Sequence, residues 1–136
     1  MTAEHERVNP PSLSRPWGFS HAVVAARGRT VYVAGQTGEQ RDGSMPDGLI
    51  DQFEAAAANV VEALAAANAR PEHVVSMQIF TTDLAGYLRA SREIGERYRA
   101  RFGRHYPAMA LIEVSGLVDG ATIEIMCVAQ VPADAG

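Results

Sequence analysis

Lysine is missing from this chain of 136 residues: all twelve of its basic residues are arginines. A lysine Schiff base, the usual covalent route for carbonyl chemistry and for pyridoxal phosphate, is thereby excluded, and only the terminal amine remains to substitute for it. Cysteine is nearly missing as well. The single Cys127 rules out an intrachain disulfide and any multi-cysteine metal site, and its place in an apolar run predicts a buried, inert thiol. No pair among His5, His21, His73 and His105 has metal-ligand spacing, so no metal is expected. The spacings GxGxxG and GxxxxGK followed by Ser or Thr are absent too, and the glycine-rich stretch from Gly35 to Gly48 reads as a plain loop. No cofactor is expected.

Long apolar runs are also lacking. Nothing approaches the ~20 consecutive apolar residues of a membrane span, and the opening Met1-Thr2-Ala3-Glu4-His5-Glu6 has neither the basic start nor the apolar core of a secretory signal. A cytoplasmic protein without membrane contact is the expectation. The formal net charge of −4 gives no basic field for a phosphate backbone, so no nucleic-acid partner is expected. The local exception is Arg97, Arg99, Arg101 and Arg104. At helical spacing Arg97, Arg101 and Arg104 share a face, which reads as a solvated helix end favoured by the macrodipole.

What is present fits one globular domain: 47% hydrophobic and 21% charged residues over a length that supports one core. Residues 1–16, with Pro10, Pro11 and Pro16, read as an extended lead-in whose first residues are loose. The domain covers 17–132, and 133–136 form a loose tail. Two β-type runs, Phe19 to Ala26 and Thr30 to Gly35, flank Arg27-Gly28-Arg29, a hairpin signal. Ile50, Phe53, Ala57, Val60 and Leu64 recur at helical steps until Pro71 stops them. Val75, Met77 and Ile79 alternate in a strand from His73 to Thr82. A second helix spans Ala85 to Phe102 on the seam Tyr87, Ile94, Tyr98 and Phe102, closed by Gly103. Two apolar strands follow, Pro107 to Val114 and Ala121 to Ala129. The order ββαβαββ is that of an α+β two-layer sandwich with both helices on one face. Its bare face calls for cover, most economically by further copies of the same sheet.

Each of the last two strands carries one carboxylate, Glu113 and Glu124. A buried unpaired charge costs several kcal/mol, so each needs a partner, an exit to solvent or a task. Here the chain resembles the Rid (YjgF-like) family of reactive-intermediate deaminases. Pro107-Ala108 through Glu113-Val114, then Ile123-Glu124-Ile125, are similar to its C-terminal half. Gly18-Phe19-Ser20-His21-Ala22 and Val31-Tyr32-Val33-Ala34-Gly35-Gln36 are similar to its N-terminal half. The resemblance runs in order from about Phe19 to Val131.

That resemblance implies a chorismate-mutase-like fold, a homotrimer, and small-molecule clefts between subunits. In such deaminases an arginine directly after Pro-Ala grips the substrate carboxylate while water attacks an imine carbon. Here that position is Met109, and a thioether cannot hold an anion. Phe19 stands where many members carry a hydroxyl-bearing aromatic, Ala34 where a serine precedes Gly-Gln, and Leu111 where a polar residue follows. Gly35 and Glu124 match. The family's helical asparagine falls near Ser91 or Gly95. The expected pocket is lined by Phe19, Ala34, Met109 and Leu111 with Glu124 at its edge, suited to a flat, weakly charged ligand. Glu124 is the candidate general acid or base; its plainer reading is a strand carboxylate paired across a subunit boundary. His21 and His105 are candidate proton shuttles, and Arg104 a candidate substitute clamp. Three functions follow: an enzyme adding water to, deaminating or tautomerising a small unsaturated substrate; a non-catalytic trimeric binder of an apolar metabolite or protein; and RNA cleavage, against which the acidic balance weighs.

Overall fold

The computed structural model describes residues 4–133. Its elements in chain order are β1 (Glu6–Val8), β2 (Ala22–Val24), β3 (Gly28–Gln36), α1 (Leu49–Ala66), β4 (Val74–Thr81), α2 (Leu84–Arg89), α3 (Ser91–Phe102), β5 (Ala108–Glu113) and β6 (Ile123–Pro132), with short 3₁₀ turns at Pro71–His73 and Val118–Gly120. The main sheet runs β3-β6-β4-β5; β6 is antiparallel to both of its neighbours, and β4 and β5 are parallel. The class is α+β, as expected.

Period-two burial in the strands dictates which face meets the helices. Ile123, Ile125, Cys127 and Ala129 of β6 are buried, as are Val33 of β3 and Met77 and Ile79 of β4. Against them α1 lays Phe53, Ala56, Ala57, Val60 and Leu64, all fully buried, across β3 and β6, with α3 packed alongside. The alanines let the helix backbone approach the sheet closely, while Phe53 and Leu64 fill the remaining depth. Each large side chain so buried contributes about 1.5–3 kcal/mol relative to exposure. A guanidinium fastens the two helices: Nη2 of Arg101 lies 2.7 Å from Oε1 of Glu54.

Among the described residues no helix covers the opposite face. Phe80 pairs in register with Ile112 and Glu124, and Gln78 with Ala110 and Met126, so these side chains point away from the helices. Tyr32, Ile112 and Met126 are exposed there.

Three expectations are corrected. The lead-in holds a strand: β1 pairs with β2 in a separate two-stranded sheet, and His5 ties it down by accepting from the Ala26 amide at Nδ1 (3.0 Å) and donating from Nε2 to the Gln130 carbonyl (2.8 Å). Consequently Arg27-Gly28-Arg29 closes no hairpin, because β3 pairs with β6 instead of β2. The second helix is two, α2 and α3, which meet at Ala90 with φ −94° and ψ 13°. That is the bridge region, tolerated by any residue and therefore unmarked by glycine or proline. The order is accordingly βββαβααββ. The loose first residues, and the tail beyond 133, lie outside the described residues.

Candidate active site

The face rule divides the expected site residues into two groups. Met109 pairs in register with Met77, and Leu111 with Ile79, so both turn toward the helices. Glu124 pairs with Phe80 and turns to the bare face. Within one chain, Met109 and Glu124 therefore stand on opposite sides of the sheet.

The first group is built at the start of β5. The buried Ser20 donates its amide to the Pro107 carbonyl (3.0 Å) and its hydroxyl to the Tyr106 carbonyl (2.6 Å), and bridges Ala108 in register. This pins the preceding Phe19 beside the strand that carries Met109. Phe19, Met109 and Leu111 line one cavity of about 550 Å³ under α2 and α3. Its helical wall adds Tyr87, Ser91, Gly95, Tyr98 and Arg99, and its mouth the exposed Trp17. Both positions considered for the helical asparagine, Ser91 and Gly95, thus face the cavity. Tyr98 and Tyr106 stack with centroids 5.6 Å apart and planes 10° from parallel, and the Tyr98 hydroxyl donates to the His105 carbonyl at 2.5 Å. Burial pushes the Tyr87 phenol up to about 12 and the Tyr98 phenol higher still, so neither ionises at neutral pH.

The second group lies at a break in the β3–β6 ladder. Register shifts between Val33 and Gln36, leaving Ala34 and Gly35 as an irregularity, and such bulges recur beside functional sites because they re-aim backbone groups. A Cβ on Gly35 would overlap the carboxylate of Glu124, which lies across that bare backbone. Gly35 and Glu124 form one unit, with the exposed Ala34 beside it.

The remaining candidates lie apart from Met109. Arg104 and His105 line a separate cavity of about 330 Å³ with His5, Arg70, Glu72 and His73. His105 there donates from Nε2 to the Val74 carbonyl at 2.7 Å. His21 donates from Nε2 to the Ser14 carbonyl (2.6 Å) and sets its ring edge-on to Phe19 at 5.1 Å, which makes it a prop for that aromatic. Glu113 finds its task at a helix start, accepting from the Leu84 amide at 3.1 Å. Cys127 is buried, and burial raises its thiol to about 12. Among the described residues no three His, Cys, Asp or Glu side chains lie close enough to hold a metal ion.

Sequence reading missed Tyr106 and Arg99 as lining residues. Tyr106 sits just outside the strand pattern. Arg99 falls off the face shared by Arg97, Arg101 and Arg104, and that offset was the available signal.

The class that these features define is an α+β domain with a mixed four-stranded sheet, an aromatic cavity under its helices and a carboxylate on its bare face. A family model described as Endoribonuclease L-PSP matches residues 12–131. The chain belongs to that family, the YjgF-like or Rid family. It is 32% identical over 113 residues to the RutC family protein UK114 of Drosophila melanogaster, covering 82% of this chain and 78% of that one. It is 31% identical, with the same coverage, to a 2-iminobutanoate/2-iminopropanoate deaminase of Rattus norvegicus. A solved structure of a conserved Rid family protein from Yersinia pestis, of unknown function, superposes with a TM-score of 0.80 at 28% identity, covering 95% of this chain and all of that one.

Proposed function

We propose that the protein is a homotrimer whose clefts lie between subunits and act on a small unsaturated metabolite by water-dependent deamination, hydrolysis or tautomerisation. One observation carries this reading: Met109 and Glu124 face opposite sides of one sheet, so a site using both must take its halves from two chains. The bare face with exposed Tyr32, Ile112 and Met126 offers the surface for that assembly. The names of the deaminase relatives agree with C–N chemistry.

In the shared cleft, the Phe19–Met109–Leu111 wall of one subunit receives the apolar body of the substrate. The Gly35–Glu124 unit of the next supplies chemistry. The Glu124 carboxylate accepts a proton from water as its oxygen attacks an imine carbon and passes that proton to the nitrogen. It then takes the proton of the new hydroxyl to the same nitrogen, so that the C–N bond breaks, a carbonyl forms and ammonia leaves. The Gly35 amide orients an oxygen. Met109 offers no grip on a carboxylate beside the imine, so a standard 2-imino acid is a poor substrate.

A second reading, a non-catalytic trimer binding an apolar metabolite or a protein, draws on the loss of hydrogen-bonding side chains at Phe19, Ala34, Met109 and Leu111. Assaying ammonia release from imines and enamines separates the two. Glu124→Gln is expected to abolish any turnover and leave the oligomer intact, with little release from 2-aminoacrylate even in the wild type. Unchanged activity in Glu124→Gln removes that residue from the mechanism.

A further inference from the structure

One charged group on the cavity wall has no counter-ion among the described residues. Arg99 projects from α3, half-buried, into the same cavity as Met109, Tyr98 and Tyr106. Among the described residues the ion pairs join Arg70 to Glu72, Arg92 to Glu96 and Arg101 to Glu54, and Arg99 makes neither an ion pair nor a side-chain hydrogen bond. Arg97 lines a different, open cavity beside Asp83 and Glu93. The arginines of α3 thus divide by direction, and Arg99 alone of Arg97, Arg99 and Arg101 faces the aromatic wall.

The helix leaves room for it. Nη1 of Arg99 lies 3.1 Å from where a Cβ on Gly95 would stand, with Cζ at 3.8 Å and Nη2 at 3.9 Å. The guanidinium therefore folds back along α3 over the missing side chain of Gly95, one turn earlier, on the wall of the cavity. A cation that gives up hydration beside apolar and aromatic neighbours is costly until an anion offsets it. A guanidinium fork also suits a carboxylate, which it grips by two parallel hydrogen bonds.

We propose that Arg99 is the anion clamp of this cavity, so that its ligand is a flat monocarboxylate gripped from α3 while its apolar body lies against Met109, Leu111 and the tyrosines. The proposal rests on reading this cavity as the ligand site. It reverses the expectation of a weakly charged guest: the anion is held by the helical wall, and β5 supplies only apolar contact. Substrates of this kind carry their carboxylate away from β5, unlike a 2-imino acid gripped from the strand.

Calorimetric titration of the whole protein with benzoate and with its neutral isostere benzamide tests this directly. The wild type is expected to bind benzoate about tenfold or more tightly than benzamide, as a charge-assisted bidentate contact provides. Arg99→Gln removes that preference and leaves benzamide affinity within about twofold, and Arg99→Lys restores part of it. Gly95→Leu, which crowds the guanidinium, weakens benzoate alone. Because a guanidinium stays protonated, the preference persists from about pH 6 to pH 9, which a histidine clamp does not allow. Undiminished benzoate affinity in Arg99→Gln, equal binding of both probes by the wild type, or no measurable benzoate binding overturns the proposal. The two readings fail separately: Glu124→Gln with full turnover sinks the catalytic role and leaves the clamp, whereas Arg99→Gln with benzoate bound sinks the clamp and leaves Glu124.

Discussion

The carboxylate of Glu124 rests on the bare backbone of Gly35, where any β-carbon would overlap it. A flexible side-chain end yields to such a clash more readily than backbone does, so Gly35→Ala is expected to fold normally and displace the carboxylate. Misplacing a catalytic group by about 1 Å can cost up to 100-fold in rate. Gly35→Ala should therefore lower Glu124-dependent turnover by about tenfold or more, with a melting temperature within a few degrees of wild type. Wild-type kinetics in this variant would show that the contact plays no part in catalysis.

The bare sheet face makes a prediction about assembly. Met126 is exposed at its centre, on the strand between β3 and β4. Met126→Asp puts a charge where neighbouring copies would bury it, at a cost of several kcal/mol per site. Sedimentation equilibrium should find three chains per particle for the wild type and one for the variant. A monomeric wild type removes the shared cleft altogether.

His73 gives stability a pH dependence of definite sign. Burial first, then the nearby Arg70 guanidinium with smaller contributions from His5 and Arg29, holds its imidazole below the usual 6.5, against the pull of Glu72. Its Nδ1 already accepts the Arg70 amide at 3.0 Å. As pH falls through 6.5 the unfolded chain gains a proton that the folded chain refuses, so stability drops until the lower folded value is reached. Urea midpoints should decline between about pH 7.5 and pH 5.5. In His73→Gln the decline should flatten across the same window, and an identical slope in both proteins would locate the effect elsewhere.

Cys127 is predicted to be silent toward thiol reagents in the folded state, since burial both shields it and lifts its pKa to about 12. Ellman's reagent should titrate no thiol in native protein and one in denaturant. Prompt native reaction would mean that β6 opens readily.

Much of the fold was legible because burial leaves a period in sequence. Phe53, Ala57, Val60 and Leu64 announce α1, and Met77 and Ile79 announce the buried side of β4. The break at Ala90 was illegible because the bridge conformation asks nothing of its residue. Strand β1 escaped notice because three residues, two of them exposed, carry no alternation to read. For the site, the resemblance named residues but not the sides of the sheet they take. Which side Met109 or Glu124 takes depends on parallel pairing with β4 at one and antiparallel pairing at the other, and pairing partners are set by topology. Arg99 was obscured for a related reason, since its direction emerges only once α3 is seated over β4 and β5.

Placing β6 between β3 and β4 also sets a timetable for folding. The β4–β5 pair joins segments that emerge from synthesis close together, but β3 has no neighbour in the main sheet until residues some hundred positions later have been made, as the pairing of Val31 with Ala129 illustrates. Its free edge, with Tyr32 and Val33, waits unprotected through most of chain elongation. Closing so long a loop is slow, so this strand is where premature association between nascent chains is most readily seeded.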